Sequence, residues 1–488
     1  MTSTEATRAN WRSFAVAVAV SALTILDLTK VNVGLPSIEH SLNARSSDLQ
    51  LIVAGYALAF GLALVPAGRL GDIHSRKLLF IIGLSGFVVA SIVCALAPGV
   101  WALVLGRVLQ GLSAGTLMPQ VLGLIQQLFV GPARGRAFGM FGATVGVATA
   151  FAPTLGGLLI AIGGDESGWR LLFWMNVPLG IAALVLAIRW LPSKSLTPPA
   201  TKNLDLIGVA LLGLATFGLL VPFITTTGAS TDNPHRWWWL ALAAGSAFGF
   251  ALWERRYTRR GKSPIVHFAL FTSRSYRNGL LVGAVYFAAL PAVFLISTLF
   301  LQQGLGLAPF FAGLVSIPFA LTSAVTAYLG GRLVGRFGRK LVVFGISVVI
   351  IGYVLDVAAA ELMPPASAPY WMAAALFIGG VGGGFVIAPN QTLTLAQVPV
   401  SEAGTAGSMA QLGQRIGTSI GTAAASAVFF STVLRESGSD GALDGFRHGF
   451  RNGVAIAVGF MVVALAVAIV DLVQRRTDPA PSGARMQT

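Results

Sequence analysis

Asp27 and Lys30 stand one helical turn apart inside a long apolar run, within the stretch LTILDLTKVNVGLP at residues 23–36. Their i, i+3 spacing puts both on one face of a helix. Arg107 lies in a second apolar run, and Asp356 and Arg415 in two more. An ionisable group in hydrocarbon is expensive and as a rule faces a cavity or a partner, so each is a functional-site candidate. For a carboxyl beside two cations, the chemistry on offer is taking up and releasing a proton. Low dielectric favours its neutral form, Lys30 and Arg107 favour its charged form, and a change in water access shifts the balance. Asp356 is a second titrating candidate, or a partner for a base in an outer loop. A static triad of Asp27, Lys30 and Arg107 is the other reading of the same residues. No histidine competes, since His40, His74, His235, His267 and His448 fall in loops or at helix ends. Asn390, Gln391, Gln411 and Gln414 join Arg415 as polar groups in apolar runs, which makes them candidates for substrate contact.

The elements that must carry these residues follow from composition. Of 488 residues, 55% are hydrophobic and 10% charged, against about 25% charged in soluble domains. A single aqueous core stops growing near 250–300 residues, so the apolar excess implies a bilayer. Fourteen spanning helices are predicted, at 14–35, 49–68, 78–97, 101–124, 136–162, 169–190, 204–225, 237–256, 278–301, 310–331, 341–360, 370–396, 403–430 and 449–473. Each approaches or exceeds the roughly 20 residues needed to cross hydrocarbon. Barrel strands would alternate instead. The first run is too long for a removed signal peptide and reads as a span. By rise per residue, Asp27 lies about 20 Å from the inner end of its helix and Arg107 about 9 Å from the outer end of its own. They share a depth.

The net charge of +15 resides mainly in short loops, so it orients the chain and does not point to nucleic acid. Basic residues crowd alternate loops (Arg69, Arg76, Lys77, Arg134, Arg136, Lys194, Lys202, the 255–277 segment, Arg332 to Lys340), which places both termini in the cytoplasm. The triple Trp237–Trp239 suits the outer interface. Cys94 is alone and forms no internal disulfide.

The sequence repeats. GRLGDIHSRK (68–77) returns as GRLVGRFGRK (331–340), Trp101 and Pro119 as Trp371 and Pro389, and Gly139 as Gly407, all at nearly one offset. This divides the chain into a six-helix bundle at 14–190, linkers with two inserted helices at 191–277, a second six-helix bundle at 278–473 and a cytoplasmic tail at 474–488. Duplicated bundles with a midplane site between them are a transporter plan.

These motifs resemble the major facilitator superfamily, and within it the fourteen-helix drug:proton antiporters. The helix 2–3 loop carries Gly68, Leu70, Asp72, Arg76 and Lys77, departing from the family at Ile73 and Ser75. LVLGRVLQGLSAG (103–115) resembles the helix 4 motif. GATVGVATAFAPTLGG (142–157) resembles the helix 5 antiporter motif, with Gly142, Gly146, Pro153, Gly156 and Gly157. The first stretch resembles the helix 1 motif, except that Lys30 replaces a small apolar residue. The resemblance implies a major facilitator fold and gating by Gly68, Asp72, Arg76 and Lys77 with Gly146, Pro153, Gly156 and Gly157; the charges inside the spans, Asp27, Lys30, Arg107 and Asp356, are the proton-coupling candidates. Asn32 and Gln110, inside the resembled motifs, join the substrate contacts. Physically, Asp72 beside a helix N-terminus is a latch that one access state makes and the other breaks. The helix 5 glycines allow close packing of the halves, and Pro153 can bend that helix. GGVGGGF (379–385) reads as a packing face.

The expected function is a proton-coupled antiporter of the plasma (inner) membrane, exporting amphipathic small molecules of multidrug type by alternating access as a monomer without cofactors. Asp27 and Asp356 against Lys30, Arg107 and Arg415 leave one positive charge inside the spans. That count points to neutral, zwitterionic or anionic substrates, so export of an endogenous lipid or an anionic or zwitterionic metabolite is the alternative, and a sensor of transporter ancestry ranks below it. An ATP-driven pump lacks its phosphate loop, since RGKS (260–263) has Arg256 where the first glycine belongs. An intramembrane enzyme lacks a nucleophile or metal cluster.

Overall fold

The computed structural model describes residues 3–193, 204–226, 233–436 and 442–477. The proline-rich linker beyond residue 193, with Lys194 and Lys202, and the tail beyond 477 lie outside the described residues. Thirteen described helices are long and apolar enough to cross a membrane: α1 (Thr7–Leu42), α2 (Ser47–Ile73), α3 (Arg76–Ala95), α4 (Val100–Leu128), α5 (Gly131–Gly164), α6 (Glu166–Trp190), α7 (Leu206–Ile224), α9 (Arg274–Gly304), α10 (Pro309–Phe337), α11 (Arg339–Leu362), α12 (Ala368–Thr394), α13 (Val400–Glu436) and α14 (Leu443–Gln474). The remaining one, α8 (Trp239–Arg259), falls short of that apolarity because its last turns hold Glu254, Arg255 and Arg256. Helices satisfy every backbone group internally, which hydrocarbon demands.

Helix starts are set by local chemistry. The Ser75 hydroxyl accepts from the Leu78 N–H at 3.3 Å, and Asp205 from the Gly208 N–H at 3.0 Å. The chain runs helically through Pro153 and breaks only at Gly164, where φ is +76°. That left-handed conformation suits glycine. The bend expected at Pro153 is thus displaced to the α5–α6 junction.

One buried core joins residues of α1 to α6, such as Phe60, Phe87 and Phe138, and takes in Tyr276 and Leu395 from the second half. A second core lies within α9 to α14, around Val293, Phe300, Tyr353 and Phe450. The α12 glycines pack as expected: a Cβ on Gly384 would meet the Ala327 nitrogen at 2.3 Å, and one on Gly382 the Gly345 carbonyl at 2.4 Å. Large apolar residues left exposed, among them Val89, Ile188, Phe248, Ile351 and Val463, form the lipid-facing surface.

The inserted pair packs as a hairpin, with Trp253 Nε1 donating to Asp205 at 2.6 Å. It leans on α2 and α13 through α7. Of the three tryptophans expected at an interface, Trp237 and Trp239 set their rings edge-on to Phe223 and Phe217 of α7, while Trp238 projects freely.

Consecutive helices alternate in direction, so α1 begins and α14 ends on one face, here the terminus side. Asn10 donates there to the Leu128 carbonyl at 3.0 Å and Ser13 to the Trp190 carbonyl at 2.7 Å.

Candidate functional site

Asp27 is fully buried, and its two oxygens are taken separately. Arg107 Nη1 donates to Oδ2 at 2.6 Å, and Asn176 Nδ2 donates to Oδ1 at 2.6 Å. Lys30 Nζ lies 3.5 Å from Oδ1 and donates to the Asn176 side-chain oxygen at 2.6 Å. Arg107 also donates to Gln110 at 2.9 Å and to the Ile52 carbonyl at 3.3 Å. Gln110 in turn donates to Ser91 at 2.7 Å and accepts from the Cys94 thiol at 3.4 Å. Two cations therefore share one carboxylate in a space with no exposure at Asp27, Lys30, Arg107, Gln110 or Asn176. The network sits inside the first half, among α1, α3, α4 and α6. Gln110 belongs to it, so this candidate substrate contact faces the interior of the bundle. Asn176 and Ser91 were missed from sequence. Asn176, an amide in an otherwise apolar span, carried the same signal as Asn390; Ser91 carried none.

The cleft between the halves lies on the other side of α1, where Ile25 projects. Its lining includes Met118, Phe141 and Phe287, with Gln391, Gln411, Gln414, Arg415 and Thr418 as its polar members. Four expected substrate contacts thus converge. Asn390 borders a smaller recess beside it, but its oxygen is held by Arg339 and its nitrogen donates to the Gly279 carbonyl at 2.9 Å. Arg339 also pairs with Asp471, a buried carboxylate in the last turn of α14 that sequence reading passed over. Asn32 is exposed and lines neither space.

A stack of rings and cations joins network and cleft. Arg107 lies over Tyr56 at 4.1 Å, Tyr56 stacks on Phe60 at 6.3 Å, and Arg415 lies over Phe60 at 4.5 Å.

Asp356 is buried in the second half. It accepts a long 3.4 Å hydrogen bond from Ser297, and its other oxygen has no partner. No described base pairs with it, which removes the outer-loop partnership considered from sequence. The hydroxyls of Tyr286 and Tyr353 are likewise buried without partners.

The halves meet on the terminus side. Asp72 accepts from the backbone N–H of Gly404 at 3.0 Å and of Thr405 at 2.8 Å, at the start of the long helical run of α13. Arg76 donates to Asp72 at 2.9 Å and to the Val400 carbonyl at 2.5 Å. A Cβ on Gly68 would meet Ser408 at 2.1 Å. Lys77 is not part of this seam; it donates to the Ile188 carbonyl within the first half. Along α5 the halves splay. A Cβ would come 2.5 Å from α10 at Gly135, 2.8 Å at Gly139 and 4.0 Å at Gly146. Gly156 instead packs on Lys30 of α1, 3.1 Å from its carbonyl, and Gly157 meets nothing. Of the expected gating residues, Gly68, Asp72 and Arg76 contact the opposite half, and Gly146 only at its margin.

A cleft sealed at one end between two six-helix halves is the architecture of a membrane carrier. The sequence matches the family described as Major Facilitator Superfamily over residues 17–422 and 279–487. It is 33% identical over 410 residues to the "Probable actinorhodin transporter" of Streptomyces coelicolor, covering 83% of this chain and 70% of that one. It is 31% identical over 407 residues to the tetracenomycin C resistance and export protein of Streptomyces glaucescens, covering 82% and 73%. The solved proton:xylose symporter XylE has a TM-score of 0.64 at 16% identity over 94% of each chain, a likeness of fold. The chain belongs to the major facilitator superfamily.

Proposed function

We propose that this multi-pass membrane protein is a proton-coupled efflux antiporter of the plasma membrane, exporting amphipathic small molecules by alternating access. Both termini then lie in the cytoplasm, and a single chain in the bilayer is the working unit. Its chemistry is transport, not catalysis. The observation that carries this reading is the Asp27–Lys30–Arg107–Asn176 network, buried beside a cleft whose terminus-side end is sealed. Relatives named for drug resistance and export support the direction and kind of cargo.

Charge counting refines the proton's address. With all three groups ionised the network holds +1. Protonating Asp27 would leave two uncompensated cations in low dielectric, whereas releasing the Lys30 proton leaves a neutral cluster around an intact Asp27–Arg107 pair. Lys30 is therefore the group that loads and unloads, and Asp27 is its fixed counter-charge, in place of the titrating Asp27 expected from sequence. Asp356 remains a second proton site. Export of an endogenous lipid or of an anionic or zwitterionic metabolite is favoured as the second reading by Arg415 in the cleft.

Purified protein in proteoliposomes with an imposed pH gradient tests the proposal. Substrate should accumulate against its gradient, and a protonophore should abolish that accumulation. Accumulation that ignores both the pH gradient and the Lys30→Met substitution would sink the reading.

A further inference from the structure

Among the described residues, Arg415 is the only formally charged side chain lining the cleft. Its guanidinium rests on the face of Phe60, and among the described residues it has no hydrogen bond to protein and no carboxylate partner. A ring face attracts a cation without cancelling its charge. Five N–H donors therefore stand in the cleft unspent. The Gln391 Nε2 group, more than nine-tenths buried, also lacks an acceptor. Gln391 itself belongs to the lining, with Gln411, Gln414 and Thr418, so a small turn of its side chain offers this unspent donor to the cleft. The other walls are apolar, with the rings of Phe141 and Phe287 and the side chains of Ile25, Met118, Val145 and Ile387. The acids closest in sequence reading are spent elsewhere: Asp27 is sequestered by Arg107 and Asn176, and Asp72 by Thr405.

Resting on the efflux reading, we propose that the cleft is a receptor for acidic aromatic amphipaths. A carboxylate or comparable oxyanion docks on Arg415 as the Gln391 amide donates to an adjacent oxygen, and a planar apolar body lies against Phe141 and Phe287. Guanidinium and carboxylate match in geometry and form charge-assisted hydrogen bonds. An unpaired cation in the same cleft repels a cationic drug of identical shape.

Three probes of one ring system isolate charge: 1-pyrenecarboxylate, its methyl ester and 1-pyrenemethylammonium. Binding to detergent-purified protein is read by fluorescence, and uptake is read in phosphatidylcholine proteoliposomes under a pH gradient. The native protein should bind the acid at least about tenfold more tightly than the ester, and the ammonium least. Arg415→Gln should erase the acid's advantage and leave the ester within about twofold, and Arg415→Lys should restore part of it. Equal binding of acid and ester by the native protein, tightest binding of the ammonium, or an acid affinity untouched by Arg415→Gln would each overturn the proposal. The native comparison decides even if a variant misfolds. Adding phosphatidylglycerol to the vesicles should leave uptake of the acid unchanged; competition by that lipid would reassign Arg415 to an anionic headgroup and overturn it too. Selective binding of the acid without gradient-driven uptake would uphold this receptor and sink the efflux reading instead.

Discussion

The Asp72 carboxylate and Thr405 join the two halves by a double contact: the Thr405 backbone N–H donates at 2.8 Å and its hydroxyl at 3.0 Å to the same oxygen. The other oxygen takes the Gly404 N–H and Arg76. A negative charge thus sits on the exposed N–H groups of α13, where the helix dipole also favours it. Hydrogen bonds to a charged group contribute about 1.5–3 kcal/mol each. Asp72→Asn keeps the shape and loses the charge. Losing about 2 kcal/mol from the seam shifts the ratio of closed to open terminus-side states by about thirtyfold. Spin-label distances between the ends of α2 and α13 should broaden toward longer values, and an unchanged distribution would count against the latch.

The buried network predicts an order of stabilities. Asp27→Asn strands Arg107 and Lys30 without their counter-charge, a loss of about 3–5 kcal/mol. Lys30→Met leaves the Asp27–Arg107 pair whole and deprives Asn176 of one donor, at about 1–2 kcal/mol. Thermal unfolding in detergent should therefore rank native above Lys30→Met above Asp27→Asn. Both variants should lose gradient-driven accumulation, and Lys30→Met should retain substrate exchange at equilibrium. Accumulation by Lys30→Met at the native rate would return the proton to Asp27.

The splay of α5 from α10 predicts opposite outcomes for two glycines of one helix. A side chain on Gly135 cannot fit against the Gly331 carbonyl without parting the seam. Gly135→Val should therefore raise labelling of cysteines placed on the terminus-side half of the cleft. Gly157 has open space, so Gly157→Ala should leave both labelling and transport unchanged within error.

His267 lies in the loop between α8 and α9, 3.3 Å from Glu402 at the start of α13. Burial pulls its imidazole below the ordinary value of 6.5, ahead of the upward pull of Glu402 and the downward push of Arg69. A base depressed in the folded state leaves the unfolded chain holding more protons just below that value. Stability should accordingly fall as pH drops through this window, and His267→Gln should flatten that part of the profile. Unfolding temperatures between about pH 7.5 and 5.5 read the effect.

Legibility from sequence followed the range of the physics involved. Hydrocarbon imposes long apolar runs one helix at a time, so all fourteen helices stood in the chain, with ends displaced by up to seven residues, as at both ends of α1 (Thr7–Leu42). The motif stretches at 68–77 and 331–340 showed duplication for the same reason: local spacing survives in linear order. Spacing also put Asp27 and Lys30 on one face of α1. Which way that face turns was beyond it, because rotation about a helix axis is set by the neighbours it packs against. Tertiary packing turned Asp27 inward to Arg107 and Asn176 and gave the cleft to Ile25. It spent Asn390 on Arg339, whose partner Asp471 arrives from α14, and left Arg415 unpaired. The types of charge were thus written in the sequence. Apart from Asp27 and Lys30, neighbours on one helix, their pairing was decided only by the fold, since Asp27–Arg107 and Arg339–Asp471 join residues from different helices and form only when those helices meet.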